Sequence, residues 1–302
     1  MKNSLIAVVL LALGVRQASA QYPVPQQTSY AMNVAERANL QLVHDWWRDI
    51  MLGGNLDIAS HYMPADFISR NPNVAAGRDA FVQVLRTRPS LLQNHALHGV
   101  PEVQFGKNDY VFLMWANFII DPKEPAKIFK YNTIDLFRIA DGKIVEHWDG
   151  AHKSLEGDFG AKGQGGGVYV SSTNLTPKEQ ETRRLGMVEF RDILQYGHTE
   201  LALQFMAPGY MQHNVNVPGG RDNFIKNFST RPKLTIEDKW VTPPTLELIT
   251  GNFYLKFDQR LEPDPTNKAK QTVFYRFDMV RVDEGLIQEH WDVAFPNGIT
   301  PR

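Results

Sequence analysis

Arg48-Asp49-Ile50 recurs as Arg191-Asp192-Ile193, an offset of 191 − 48 = 143 positions, and that offset holds without a gap as far as Asp149. It carries Gly77-Arg78-Asp79 onto Gly220-Arg221-Asp222 and Phe81 onto Phe224. It carries Thr87-Arg88-Pro89 onto Thr230-Arg231-Pro232, and Asp121-Pro122 onto Asp264-Pro265. Asp135 and Arg138 fall on Asp278 and Arg281, and Glu146-His147-Trp148-Asp149 falls on Glu289-His290-Trp291-Asp292. Chance does not hold one register so long, so the chain is a duplication of one unit. Its 302 residues suit two domains of ordinary size, and 43% hydrophobic residues suffice for two packed cores.

Punctuation between the copies sets the expected boundaries. Residues 157–167 (GDFGAKGQGGG) are Gly-rich without apolar periodicity and read as linker. Thr176-Pro177 followed by Glu179 reads as a helix start, with Thr as cap and Pro at the first position. At the N-terminus Lys2, the apolar run Leu5–Val15 and the small residues Ala18-Ser19-Ala20 form the three parts of an export signal. The run of eleven residues is too short to span a bilayer. The reading is therefore a signal peptide over 1–20 and a Gln- and Pro-rich extended segment over 21–34. The first domain covers 35–156, the linker 157–176 and the second domain 177–302. The mature, secreted or periplasmic form is expected to begin at Gln21.

Composition removes several functions. Lys plus Arg number 32 against 33 for Asp plus Glu, which leaves no electrostatic footprint for nucleic acid or an anionic membrane. Cysteine is absent, which excludes disulfides, thiolate nucleophiles and Cys-ligated zinc. Neither a Gly-rich phosphate loop, a Gly-x-Ser-x-Gly elbow nor a His-Glu-x-x-His pair occurs. No cofactor and no metal site are expected. A His213, His290 and Asp292 set has the right ligand types but no metal-site spacing.

Each copy opens with a helix, through Leu40, Val43, Trp47 and Ile50 in the first and Phe190 and Ile193 in the second. A short helix at 56–62 ends at Met63-Pro64, and a strand follows at 67–71, matched by 210–214. A third helix starts at Gly-Arg-Asp. Strands then run over 110–118 and 253–257, and over 128–139 and 273–282. Asp141-Gly142 and Glu284-Gly285 turn them into final strands at 144–151 and 287–294. Helices first and a strand meander after them give an α+β fold.

That order, with the ending IDLFRIADGKIVEHWD over 134–149, resembles the SnoaL-like polyketide cyclase family of the ketosteroid-isomerase and nuclear-transport-factor-like superfamily. Tyr210-Met211-Gln212-His213-Asn214 followed by Gly220-Arg221 resembles that family's Tyr-Ile-Gln-His-Asn…Gly-Arg pattern. The resemblance implies two tandem cone-shaped domains. Each would be a curved antiparallel sheet with about three helices on its concave face around a pocket. It implies a small hydrophobic molecule as partner. The reaction stays open, because one such fold hosts isomerases, cyclases, hydrolases and non-catalytic binders.

Side chains two apart on a strand share a face, so His290 projects with Asp292, and His147 with Asp149. By the resemblance this is the pocket face, with Asp278 and Asp135 pointing inward from the adjacent strand. His213, Asp278, His290 and Asp292 are thus the expected catalytic set, able to abstract a proton beside a carbonyl and stabilise the enolate. Asp135, His147, Asp149, Arg70, Tyr210 and Phe257 are the expected ligand-binding residues. Asp258 is left out, because strand parity sets it opposite Phe257. Arg70 stands where the second copy has His213 and is a poor base, so the second copy is the better catalytic candidate. Arg70 is read as holding an anion or pairing with Asp49 or Asp66. The alternatives are a ligand binder without chemistry, or a structural pair with filled pockets. Both faces of the long strands are apolar, with Ile134 and Leu136 alternating with Asp135 and Phe137. The second face needs cover, so the copies are expected to form an intramolecular pseudo-dimer with Leu136 and Met279 near its interface.

Overall fold

The computed structural model describes residues 27–28, 32–71, 74–87, 101–120, 124, 126–149, 153–154, 170–263 and 271–292. The expected signal peptide, Gln21, Arg88-Pro89, Asp121-Pro122, Asp264-Pro265 and the Gly-rich run 157–167 lie outside them.

In the first copy β1 (Gln27–Thr28) precedes α1 (Val34–Trp46), whose start is fixed by a capping box. Asn33 Oδ1 accepts from Glu36 N at 2.9 Å, and Glu36 Oε2 accepts from Asn33 N at 2.8 Å. The helix runs into a π-helical turn at Trp47–Leu52. A 3₁₀ turn at Leu56–Ile58 leads into α2 (Ala59–Tyr62), and β2 (Ile68–Ser69) and α3 (Arg78–Thr87) follow. Then come β3 (Val103–Lys107), β4 (Tyr110–Ile120), β5 (Ile128–Ala140) and β6 (Lys143–Asp149). β7 (Lys153–Ser154) and β8 (Val170–Ser171) lead into the second copy. There α4 (Pro177–Met187) starts at the expected Thr176–Glu179 capping box and also ends in a π-helical turn, Val188–Ile193. α5 (Ala202–Phe205), β9 (Met206–Gln212) and α6 (Arg221–Phe228) precede β10 (Leu246–Thr250), β11 (Phe253–Pro263), β12 (Gln271–Asp283) and β13 (Leu286–Asp292).

The fold is α+β, with two open sheets ordered β1-β3-β4-β5-β6-β2 and β8-β10-β11-β12-β13-β9. The expectation of antiparallel sheets holds for the four-stranded meanders and needs correction at the edges. β1 pairs parallel with β3, β2 with β6, β8 with β10 and β9 with β13. Each edge strand reaches its neighbour by a helical excursion, the connection that parallel pairing requires. Asp141-Gly142 and Glu284-Gly285 make the expected hairpins, all four residues at positive φ (50°, 68°, 52° and 72°), as a primed two-residue turn demands. β3 and β10 were not foreseen.

Positions 27 and 170 obey the same offset, so the repeat reaches back to β1 and β8, inside the stretches read as extended segment and linker. β7, in the tail of the first copy, pairs with β12 of the second sheet through Ser154↔Thr272 and Lys153↔Val273.

Helices cover one face of each sheet. The other faces carry apolar side chains that meet: Phe105 lies 6.3 Å from Phe253 and Trp148 6.0 Å from Phe257, centroid to centroid. Leu136 and Met279 are buried in the same cluster. Lys107 Nζ reaches Glu179 Oε1 at 2.8 Å, both side chains buried.

Candidate active site

Cross-strand register builds a polar interior in the second copy. Lys256 stands opposite Asp278, and Asp278 opposite Asp292, so one sheet face collects Lys256, Asp258, Asp278, His290 and Asp292 beneath α4. The π-helical turn after α4 adds Glu189, whose side chain is fully buried. Such turns occur often at functional sites because they re-aim side chains within a helix. Glu189 Oε1 accepts from Tyr210 Oη at 3.1 Å and faces His290 Nδ1 at 2.5 Å. On the far side of the ring, His290 Nε2 lies 3.5 Å from Asp278 Oδ1 and 3.9 Å from Asp292 Oδ2. Lys256 Nζ donates to Asp258 Oδ2 and, at 3.2 Å, to Asp278 Oδ2. Arg276 Nε approaches the same oxygen at 3.2 Å from a half-exposed position. Asn214 Nδ2 donates to Asp292 Oδ2 at 2.7 Å.

Four carboxylates face two permanent cations here, and the imbalance settles the proton on the imidazole. Burial opposes a charge on His290, but Glu189, Asp278 and Asp292 outweigh it and lift the group to about 10. His290 is therefore an imidazolium at neutral pH. The two aspartates separate. Burial would raise Asp278, but Lys256, Arg276 and His290 hold it well below the usual carboxylate range. Asp292 is raised, by burial and then by the Asp278 charge, against the pull of His290 and Asn214. Burial and Glu189 push the Tyr210 hydroxyl far up, so it stays a donor.

The first copy keeps the skeleton and fills the space. Trp46 stands at the position of Glu189, Leu113 at Lys256, Trp115 at Asp258 and Phe67 at Tyr210. Asp135 accepts from Trp115 Nε1 at 2.9 Å and lies 2.8 Å from His147 Nε2. His147 stacks on Phe137 at 4.5 Å, and Trp47 on Trp115 at 4.6 Å. Asn71 Nδ2 holds Asp149 at 2.7 Å, as Asn214 holds Asp292. Indole rings thus occupy what is charged interior in the second copy.

Three sequence assignments need correction. His213 does not join Asp278, His290 and Asp292. It lies 3.0 Å from Glu289 Oε2 and stacks on Trp291 at 4.6 Å, and those residues alternate with His290 and Asp292 along β13. Arg70 occupies the same place in the first copy, with Nε donating to Glu146 Oε1 at 2.5 Å and the guanidinium over Trp148. It pairs with neither Asp49 nor Asp66. Phe257 also lies on the far face, 4.5 Å from Phe277 and 5.8 Å from Tyr275, among apolar residues of both sheets. Parity rightly opposed Phe257 to Asp258, but the polar face is the one that carries Asp258. Tyr210, Asp278, His290 and Asp292 do come together. Glu189, Lys256 and Asp258 were missed, and comparing the copies position by position reveals them, since each replaces an apolar residue of the first.

Asp278, His290 and Asp292 each offer an atom within 4.8 Å of the others, a spacing a metal ion can bridge. An ion there would have to displace a proton held to about pH 10 and sit beside a carboxylate already bound by Lys256 and Arg276. The donor set suits a protonated dyad better than a cation.

No family model matches the chain, and no curated protein matches it. Solved structures do. A SnoaL-like polyketide cyclase from Jannaschia sp. is 20% identical over 39% of this chain and 88% of its own, with a TM-score of 0.28. A polyketide cyclase from Bacillus cereus is 14% identical over 42% and 84%, with a TM-score of 0.29. An epoxide hydrolase from M. tuberculosis, described as LEH-like, is 14% identical over 38% and 83%, with a TM-score of 0.27. Each of these solved structures is matched over about two-fifths of this chain.

Proposed function

We propose that the second copy is a small-molecule pocket that carries out isomerase- or cyclase-like acid–base chemistry on a small hydrophobic carbonyl compound. One observation carries this reading: two facing aspartates, Asp278 and Asp292, whose surroundings drive their proton affinities apart. Asp292, when ionised, takes a proton from carbon next to the carbonyl and returns it to the substrate, so no net proton is consumed. His290, as imidazolium, presents Nε2–H toward that side and stabilises the enolate oxygen. Asp278 stays ionised and keeps Lys256 and Arg276 in place. Glu189 and Tyr210 fix the ring from behind.

The first copy, with indoles where the second has charges, is read as structural. Its pairing with the second copy as an intramolecular pseudo-dimer is supported by the buried Leu136 and Met279 and by the Phe105–Phe253 and Trp148–Phe257 contacts. We hold to two domains, over 35–156 and 177–302. Export of a form beginning at Gln21 is supported by the three-part pattern of residues 1–20.

Deuterium exchange at carbon next to the carbonyl, followed by NMR over a panel of cyclic ketones and diketones, tests the chemistry. The second copy should accelerate exchange, and Asp292→Asn should slow it by about a hundredfold or more, the scale of a positioned acid or base. Asp149→Asn should leave it unchanged. Equal losses from both variants, or no acceleration across the panel, would refute the assignment.

A further inference from the structure

A cleft of about 390 Å³ opens where the copies meet. One wall is the start of β5 in the first copy, Ile128, Phe129 and Lys130. The other is the loop after β9 in the second, running from Gln212 past Asn214 and Val217 to Gly219. The volume falls within the range of small-molecule sites, and junctions between units are where such sites concentrate. Its rim is apolar. Ile128 is 46% exposed, and Ile120, its register partner on β4, is 57% exposed, so large aliphatic surface faces open space beside the cleft.

Its charges are already satisfied. Lys130 Nζ holds Glu102 Oε1 at 2.5 Å, and His213 lies on Glu289, so neither side chain is left to select for an anion. The polar groups left are carboxamides. Asn214 gives one N–H to Asp292 and Gln212 gives one, at 3.4 Å, to Tyr210 Oη, while their carbonyl oxygens accept from Asn216 N and Asn214 N, which leaves each amide a further donor. Asn214 thus borders the cleft and touches the raised carboxylate at once.

We propose that this cleft binds a small neutral molecule with an apolar body and a hydrogen-bond acceptor besides any reacting carbonyl, and that the first copy thereby supplies a specificity wall for the second. The apolar body lies against Ile128, Phe129 and Val217, and the acceptor meets the Gln212 and Asn214 amides. The inference rests on the second copy acting on small molecules, and it gives the tryptophan-filled first copy a function without a pocket of its own.

The test titrates the full chain with 1-tetralone, a neutral bicyclic ketone, and reads methyl and side-chain amide NMR signals. Ile128 methyl and Gln212 and Asn214 amide resonances should move together. Ile128→Trp, at a half-exposed site that tolerates a larger ring, should weaken binding at least about tenfold, the scale of a filled apolar subsite. Shifts confined to the Leu185 and Val280 methyls of the second core, silence at Ile128 and Asn214, or an unchanged affinity in Ile128→Trp would each overturn the proposal. Binding is read without turnover. Cleft shifts without catalysed exchange sink the acid–base chemistry alone, whereas catalysed exchange with a silent cleft sinks the wall alone.

Discussion

Replacing Glu189 by Gln keeps the shape of the side chain and removes the charge 2.5 Å from His290 Nδ1. In the native chain His290 is raised from 6.5 to about 10. A shift of one pH unit corresponds to about 1.4 kcal/mol, so the network contributes stability of order 5 kcal/mol through this one proton. The group is raised on folding, so that contribution is complete below about pH 6.5. It declines as pH rises and is gone above about pH 10, where folded and unfolded chains have both lost the proton. Urea denaturation of the native chain should therefore show stability falling across this window. His290→Gln should flatten the dependence. Nitrogen NMR of the imidazole gives the direct reading: in Glu189→Gln the titration should move down by about one to three pH units, the effect of removing one close opposite charge. A native imidazole that titrates near 6.5, or a Glu189→Gln titration unchanged from native, would refute the electrostatic account.

Three further outcomes are expected. His213→Arg should keep stability within about 1 kcal/mol by urea denaturation, because Arg70 already performs the same pairing on Glu146 and Trp148 in the first copy. It should also leave deuterium exchange intact, which a catalytic His213 would not allow. Leu136→Asp should cost a few kcal/mol in the same assay, since an unpaired charge would replace a fully buried leucine. Export with cleavage after Ala20 should give an intact mass that begins at Gln21, and a retained Met1 would contradict it.

Much of the fold was legible because it is repeated. A register that holds from Arg48 to Asp149 aligns every hairpin, and the Asp-Gly and Glu-Gly turns mark where β5 hands to β6 and β12 to β13. What stayed hidden was the identity of the inner face. Alternation along β11 separates Lys256 and Asp258 from Leu255 and Phe257, but it cannot say which set faces the helices. In most half-exposed sheets charge marks the solvent side. Here both sides are covered, and the charged set is the more enclosed. For the same reason His213 was grouped with His290, although one residue of stagger along β13 sets them on opposite faces. Glu189 was unreadable from its own helix, where a charge among Leu185, Phe190 and Ile193 passes for the polar side. β3 and β10 were missed although Val103-Gln104-Phe105 and Leu246-Glu247-Leu248 alternate, because each strand is only five residues long.

The Lys107–Glu179 bridge is one-sided, and in the paired arrangement proposed above that makes the two copies unequal. Under the offset Lys107 corresponds to Thr250, and Glu179 to Glu36. Glu36 and Glu179 accept equivalent backbone donors, Asn108 N at 2.9 Å and Gly251 N at 3.2 Å, but the ammonium comes from the first copy only. Two first copies placed face to face would bring a lysine to each glutamate. Two second copies would bring a threonine to each, leaving each glutamate the cap and backbone donors that already hold Glu36 here. The second copy thus draws a counter-charge from the first and returns none.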